Sequence, residues 1–102
     1  MSVSWRYLEM LEKAVEQELV KQVKARGGLC LKLNSQSMSG IPDRLVLMKK
    51  GKIGFVELKQ KGKKPRPLQV RRMKQLMELG FYCSLIDDKE QVGGVLDEIC
   101  AT

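Results

Sequence analysis

The chain contains 102 residues, which is enough for one folded domain and too few for two. The absence of histidine excludes Ser-His and Cys-His nucleophilic catalysis and the histidine ligands that zinc prefers, and three widely spaced cysteines argue against a disulfide framework. No apolar run approaches the roughly 20 residues of a membrane span, and charges come too early for a secretory signal, so we expect a soluble cytoplasmic protein. The net charge of +7 favours a polyanionic partner.

The first predicted element is a helix over residues 5–26. Ser4 is a suitable N-cap, and the glycine pair at positions 27 and 28 ends the helix, because glycine is unfavourable inside a helix and common just after its end. Glu12 and Glu16 lie one turn apart beside the apolar stripe of this helix. The stripe consists of residues at spacings of three and four, namely Leu8, Leu11, Val15, Leu19 and Val23.

Four strands and two more helices follow the first helix. A polar loop over residues 34–40 separates the first strand from two strands joined by residues 49–52, whose sequence KKGK is a hairpin signal. Pro67 opens the second helix at the position that proline tolerates best, and Asp87 or Asp88 is placed to cap the last helix. The order α-β-β-β-α-β-α predicts an α/β fold with a mixed four-stranded sheet flanked by helices. The predicted strands cover residues 29–34, 44–48, 53–58 and 81–86, and the later helices cover residues 67–79 and 89–100.

Two carboxylates interrupt the apolar strands of the hairpin. Asp43 precedes one strand and Glu57 lies late in its antiparallel partner, so the two residues should be roughly opposite each other at one end of the sheet. Neighbouring carboxylates repel unless a positive charge lies between them, and Mg²⁺ prefers such oxygen ligands. Lys59 points to the same side of its strand as Glu57, while Leu58 points into the core. Asp43, Glu57 and Lys59 therefore predict a metal site with a cation beside it, suited to phosphodiester hydrolysis.

A basic stretch begins at the predicted catalytic lysine. Every charged residue between positions 59 and 74 is a lysine or an arginine, and the stretch leads into the exposed side of the second helix. Such a surface can hold a phosphate backbone next to the metal, with binding that depends strongly on salt and little on base sequence. Besides Lys59 itself, the predicted DNA-binding residues are Lys61, Lys63, Lys64, Arg66, Arg71, Arg72 and Lys74.

These segments, in this order, resemble the VRR-NUC domain of the PD-(D/E)XK nuclease superfamily. The resemblance is carried by GIPD at residues 40–43, FVELK at 55–59 and PLQ at 67–69, and it extends from the first helix to about position 92. It implies a restriction-endonuclease-like core, a single nuclease domain over residues 1–102 and a DNA endonuclease activity that depends on Mg²⁺ or Mn²⁺.

The resemblance also implies a role for each residue of the site. It makes Asp43 and Glu57 metal ligands, with the backbone carbonyl of Leu58 completing the coordination. Lys59 would be the catalytic lysine. Gln69, on the helix that follows, would support the site.

A further metal ligand is implied on the first helix. The family places a glutamate about eleven residues before a Gly-Gly pair, and Glu16 occupies that position here. Glu12 lies one turn away and is the competing candidate.

Short, stand-alone members of the family are typical of phages and bacteria, and this chain resembles them. They imply a symmetric homodimer that acts on branched DNA such as four-way (Holliday) junctions, in the cytoplasm of a bacterial or phage-infected cell. The exposed side of the first helix, or the last helix, could dimerise or simply pack on the sheet.

Several alternatives stay open at the level of sequence. A turn aspartate and a solvated Glu-x-Lys ion pair are the structural readings of Asp43 and of Glu57 with Lys59. At the level of function, the alternatives are a monomeric nuclease that cuts flaps or nicks, a nucleic-acid-binding module without catalysis, and an RNA nuclease.

Overall fold

A computed structural model describes residues 4–34 and 37–102 of the chain. Ser35 and Gln36, which belong to the predicted polar loop, lie outside the described residues. The helices are α1 (Trp5–Ala25), α2 (Pro67–Glu78) and α3 (Val92–Cys100), and the strands are β1 (Leu29–Lys32), β2 (Arg44–Met48), β3 (Lys52–Leu58) and β4 (Tyr82–Ile86). No helix in this part of the chain is long and apolar enough to cross a membrane.

The four strands form one mixed sheet in the order β1-β2-β3-β4. The first two pairings are antiparallel, and β3 pairs with β4 in parallel. A parallel pair needs a crossover connection, and α2 supplies it between β3 and β4. The predicted α/β class, the mixed sheet and the order of elements are therefore confirmed.

Both ends of α1 have the features expected from the sequence. The Ser4 hydroxyl accepts a hydrogen bond from the Tyr7 N–H at 3.1 Å, which satisfies one of the free amides of the first turn. Gly27 follows the last turn with φ +77°, a backbone conformation that side chains disfavour. Gly28 lies against β2, where a Cβ atom would come within 2.5 Å of the Leu47 carbonyl oxygen. The glycine pair thus ends the helix and lets the chain pass close to the sheet.

Helices α1 and α3 cover one face of the sheet and form the hydrophobic core with it. The apolar stripe of α1 is buried through its last three members, and the central strand residues beneath it have no exposed surface. The apolar residues of α3 are buried as well, so they pack on the sheet. The core consists of Val15, Leu19, Val23, Val46, Met48, Val56, Leu58, Ile86, Val92, Val95, Leu96 and Ile99.

Helix α2 covers only part of the opposite face. It packs against β4, and Phe81, which lies between α2 and β4, forms an edge-to-face pair with Phe55 on β3, with ring centroids 5.7 Å apart. At the far edge of that face, Leu29 and Leu31 of β1 are exposed. The two faces of the sheet are therefore covered very unequally.

Several predicted boundaries differ from the structure, most of them by one residue. The linker at residues 49–52 is a single 3₁₀ turn over Lys49–Gly51, in which both Lys50 and Gly51 have positive φ, and β3 already begins at Lys52. The last helix is preceded by a 3₁₀ turn over Lys89–Gln91 that Asp88 caps, so α3 starts only at Val92. The first strand ends at Lys32 because only residues 29–32 pair with β2 in the ladder.

Candidate active site

Asp43 and Glu57 lie opposite each other where β2 begins and β3 ends. The antiparallel register pairs Arg44 with Val56, which places Asp43, before Arg44, beside Glu57, after Val56. The Asp43 N–H donates to Glu57 Oε1 at 3.0 Å, and the Leu58 N–H donates to Asp43 Oδ1 at 3.1 Å. Each carboxylate is therefore held by a backbone amide of the opposite strand, and the two form a reciprocal clasp across the hairpin.

The alternation of β3 explains why a glutamate can be buried here without disturbing the core. Val56 and Leu58 point toward α1 and α3, so Glu57 between them points to the α2 face. Its residue is only 5% exposed, and a buried carboxylate needs hydrogen-bond donors around it. The Asp43 amide is one such donor.

The closeness of the two carboxylates affects the pKa of Asp43. Burial, followed by repulsion from Glu57, raises the pKa of the Asp43 carboxyl from 3.8 to about 6. The Leu58 N–H and the Arg44 guanidinium act in the opposite direction but only partly offset the increase. Two carboxylates are thus held closer together than their charges favour.

Lys59 brings a positive charge to the same place. Its Nζ lies 3.4 Å from Glu57 Oε2, and its side chain is mostly buried. The backbone of Lys59 is fixed by a 3.0 Å hydrogen bond from its N–H to the Ile86 carbonyl at the end of β4. The predicted common orientation of Glu57 and Lys59 therefore exists, on a rigid part of the sheet.

Gln69 connects Glu57 to the start of α2. Its side chain is buried, its Nε2 donates to Glu57 Oε2 at 2.7 Å, and its Oε1 accepts the Arg66 N–H at 2.9 Å. The backbone donor at Arg66 fixes which end of the amide is the oxygen, so the NH₂ group must face the carboxylate. Gln69 thereby caps the helix and orients Glu57 at once.

The oxygen atoms gathered here are of the kind that a hard divalent cation binds. Asp43 and Glu57 could supply carboxylate oxygens and Leu58 its backbone carbonyl. A cation between the two carboxylates would relieve the repulsion that raises the pKa of Asp43. Within residues 4–34 and 37–102, no group of three or more acidic, thiol or imidazole side chains is close enough to hold a metal ion. Two carboxylates suffice for Mg²⁺, which retains waters and also binds substrate phosphate.

Glu16 is not gathered into this cluster but paired with Arg44. The Arg44 NH2 atom lies 2.6 Å from Glu16 Oε1, and the arginine side chain is 9% exposed. Because Arg44 follows Asp43 in the chain, its side chain points to the other face of the sheet, toward α1. The role of Glu16 as a metal ligand, and the choice between Glu16 and Glu12, stay predictions.

Arg44 itself was missed by the sequence reasoning. It sits beside Asp43, Glu16 and Cys30, and its charge lowers the pKa of both Asp43 and the Cys30 thiol, although burial leaves both values raised overall. The available signal was its position as a cation at the head of a strand whose alternate residues are buried. A buried arginine requires a carboxylate partner, and α1 provides one.

The basic stretch divides into residues that have partners inside the protein and residues that do not. Lys61 Nζ lies 3.3 Å from Asp88 Oδ2, and Lys63 Nζ lies over the Trp5 ring at 5.8 Å from its centroid. Arg72 donates to the Ser39 carbonyl at 3.0 Å. The predicted DNA-binding residues that are exposed and form neither an ion pair nor a ring contact in the described part of the chain are Lys64, Arg66, Arg71 and Lys74.

Comparisons with known proteins extend the picture beyond this chain. No family model matches the sequence. The chain is 40% identical over 79 residues to the "Putative nuclease p44" of Acyrthosiphon pisum secondary endosymbiont phage 1, a match that covers 78% of this chain and 85% of the phage protein. A solved structure of a "VRR_NUC domain" is similar with a TM-score of 0.79 at 32% identity, over 84% of this chain and 94% of that one. Both similarities extend over most of the chain and therefore concern the whole fold.

Proposed function

The chain belongs to the VRR-NUC family and is a nuclease, and we propose that it is a metal-dependent endonuclease that hydrolyses phosphodiester bonds in DNA. The observation that carries the proposal is the clasp of Asp43 and Glu57 with Lys59 within 3.4 Å of it. A solvated surface ion pair would not need the buried amide of Gln69 or the two backbone donors that hold these carboxylates. The site is built to present charged oxygen atoms at one place.

Each residue of the site has a distinct task in the proposed reaction. Asp43, Glu57 and the Leu58 carbonyl would hold Mg²⁺ or Mn²⁺, which supplies Lewis acidity toward the phosphate when bound. Lys59 places a fixed positive charge where negative charge develops on the attacked phosphate, in a site that is mostly closed to water. Gln69 keeps the Glu57 carboxylate in one orientation, so no binding energy is spent on ordering it. Glu16 is proposed as an additional ligand that would first have to leave Arg44.

The exposed cations of α2 and of the loop before it support DNA as the substrate. Lys64, Arg66, Arg71 and Lys74 lie after Lys59 in the chain, on the segment that Gln69 ties to Glu57. Four phosphate contacts imply a strong loss of affinity as salt is raised. We further propose branched DNA such as four-way junctions as the preferred substrate, a homodimer as the active form, and the cytoplasm of a bacterial or phage-infected cell as the location. These finer points are supported by the family resemblance.

The proposed activity is tested by cleavage of a four-way junction, a flap, a duplex and a single strand of the same sequence with Mn²⁺. We expect Lys59→Ala to lower the rate about 100-fold or more, because a preorganised charge at the reacting phosphate is lost, while DNA binding measured with Ca²⁺ is kept. Lys21→Ala is the matched control, since Lys21 is exposed on α1, and it should cleave normally.

Each other outcome has a clear meaning. Normal cleavage by Lys59→Ala removes Lys59 from the mechanism. Cleavage of flaps alone by a monomer contradicts the junction proposal, and equal cleavage of RNA contradicts the restriction to DNA. If neither Mg²⁺ nor Mn²⁺ supports cleavage, and Glu57→Ala leaves metal and DNA binding unchanged, the site does not hold the metal.

A further inference from the structure

The face of the sheet that α2 leaves uncovered is built entirely of apolar side chains at β1, β2 and the start of β3. The strand register arranges them in two rows that cross the sheet. One row runs Leu29, Leu47, Ile53, and the next runs Leu31, Leu45, Phe55. We call these six residues the open sheet face.

The open sheet face is exposed to a degree that the opposite face is not. Leu29 is 62% exposed and Leu31 is 42% exposed, and the other four side chains are half-buried. On the core side of the same strands, Val46 and Val56 have no exposed surface. Alternation along a strand places apolar residues on both sides of a sheet only when both sides are to be covered. The sequence is thus patterned for a cover that the described part of this chain does not supply.

A cavity of about 390 Å³ lies beside α2, the helix that covers the neighbouring part of the same side of the molecule. It lies between residues 38–41 and the second half of α2, and its lining combines apolar Ile41 and Leu76 with Arg72, Gln75 and Glu78. The Leu76 carbonyl accepts the N–H of Phe81, whose ring packs on Phe55 of the open sheet face. Leu79, at the rim, is 74% exposed, the highest value among large apolar side chains in the described residues. The α2 side of the molecule therefore contains both a protruding side chain and a cavity, linked to the open sheet face through Phe81.

Charge and area favour a second copy of this chain as the occupant. Two chains of charge +7 repel each other, and the six residues of the open sheet face carry no cation that would add to this repulsion at a contact. The same lack of cations makes it unsuited to a phosphate backbone. A stable interface buries roughly 800 Å² per partner around an apolar centre, and the exposed apolar side chains of this face can form such a centre. In a two-fold interface each copy presents the same surface, so a side chain that protrudes and a cavity that can receive it must both lie on that surface.

We propose that the open sheet face, together with the cavity beside α2 and Leu79, is the contact surface of a two-fold homodimer of this chain. The assignment rests on the homodimer proposed above and places its contact on the sheet instead of on α1 or α3. It gives the apolar rows the cover that their pattern calls for. Catalytic groups are not required for the contact, so it can be tested without DNA or metal.

The test is the mass of the protein in solution, measured by sedimentation over a range of concentrations. The wild-type chain should have twice the 11.6 kDa of one copy. Leu31→Glu and, separately, Leu79→Glu should each weaken the dimer at least tenfold, because both bury a charge in the contact. Met10→Glu adds the same charge at an equally exposed apolar position on α1 and should leave the mass unchanged. Thermal unfolding of each variant checks that it remains folded.

The possible outcomes test three things separately: the proposed contact surface, dimerisation itself and the nuclease activity. A wild-type protein of 11.6 kDa at all concentrations overturns both the dimer and its surface. A dimer that both variants leave intact, or that only Met10→Glu dissociates, overturns the surface alone. If Leu31→Glu acts and Leu79→Glu does not, the contact is an edge pairing of β1 and the proposal is wrong. Cleavage of linear duplex by the monomeric variants reports on the nuclease chemistry separately.

Discussion

The two faces of the sheet differ in almost every respect although the same strands supply both. On the face under α1 and α3, the central side chains are fully buried and all but Arg44 are apolar. On the face under α2, Glu57 is buried and the other strand side chains are at most partly covered. The groups of the clasp all lie at one end of this face. The residues of the hydrophobic core and the residues of the candidate site therefore lie on opposite faces of the same strands.

The separation explains how a small domain accommodates two carboxylates that repel each other. A chain of this size has only about 5–15 kcal/mol of net stability, so a strained site must be offset elsewhere. At β3, Val56 and Leu58 contribute to the core while Glu57 between them serves the site. Substitutions on the face under α1 and α3 should therefore change stability with little effect on function. Substitutions on the face under α2 should change function with little effect on stability.

The largest expected difference comes from truncating a leucine on each face. Leu96→Ala empties a fully buried position of α3 and should lower the free energy of unfolding by about 2–5 kcal/mol. Leu31→Ala, on the open sheet face, should lower it by less than about 0.5 kcal/mol per monomer. Urea unfolding at low protein concentration, where a dimer would dissociate, measures both. Equal losses for the two variants would show that the two faces contribute equally to the free energy of unfolding.

A smaller effect is expected from breaking the ion pair between Arg44 and Glu16 on the core face. Glu16→Gln leaves the buried Arg44 guanidinium without its ion pair and should cost about 1–2 kcal/mol of unfolding free energy, reduced from a fully buried case because Glu16 is partly exposed. Replacing both partners by methionine should cost less than Glu16→Gln alone. Glu12→Gln, one turn away, is the control and should change stability by less than about 0.5 kcal/mol. An equal loss from Glu12→Gln would contradict the assignment of the pair.

The smallest expected effect is a gain in stability at the candidate site. The pKa of Asp43 is about 6 in the folded chain and near 3.8 when unfolded, so the folded state retains a proton that the unfolded state releases. Stability should therefore fall as the pH rises from about 4 to about 6. Asp43→Asn should abolish this decline and, after allowance for solvent screening, raise the free energy of unfolding at pH 7 by about 1 kcal/mol.

Urea unfolding in EDTA at pH 4 and pH 7 checks this prediction. Asp97→Asn removes an exposed aspartate of α3 and provides the comparison, with a change below about 0.5 kcal/mol. A lower stability for Asp43→Asn at pH 7 would show that the clasp stabilises the fold through its charge.

Local pattern was sufficient for much of the fold and for the centre of the site. Periodicity and caps located every helix and strand, and the boundaries of β2 agree with the prediction. Asp43 and Glu57 could be placed together because hairpin register follows from the turn. The hairpin was predicted correctly, but the positive φ of Lys50 could not be, because lysine rarely takes that conformation.

The features that sequence could not supply depend on residues far apart in the chain. Arg44 with Glu16, and Lys61 with Asp88, are joined only by tertiary packing, so neither pair has a local signal. The uncovered face was hidden for a different reason. All residues of β2 after Arg44 are apolar, and such a strand does not reveal which of its sides is covered.

The hydrogen bond between Lys59 and Ile86 has a consequence for how the protein is made. During synthesis the ribosome releases Lys59 well before β4, and until β4 has emerged the end of β3 lacks its parallel neighbour and α2 lacks the strand against which it packs. Parallel pairing across such a crossover is slow to form, because the long connection must close first. A nascent chain therefore completes the candidate site only after β4 has been synthesised and has paired with β3.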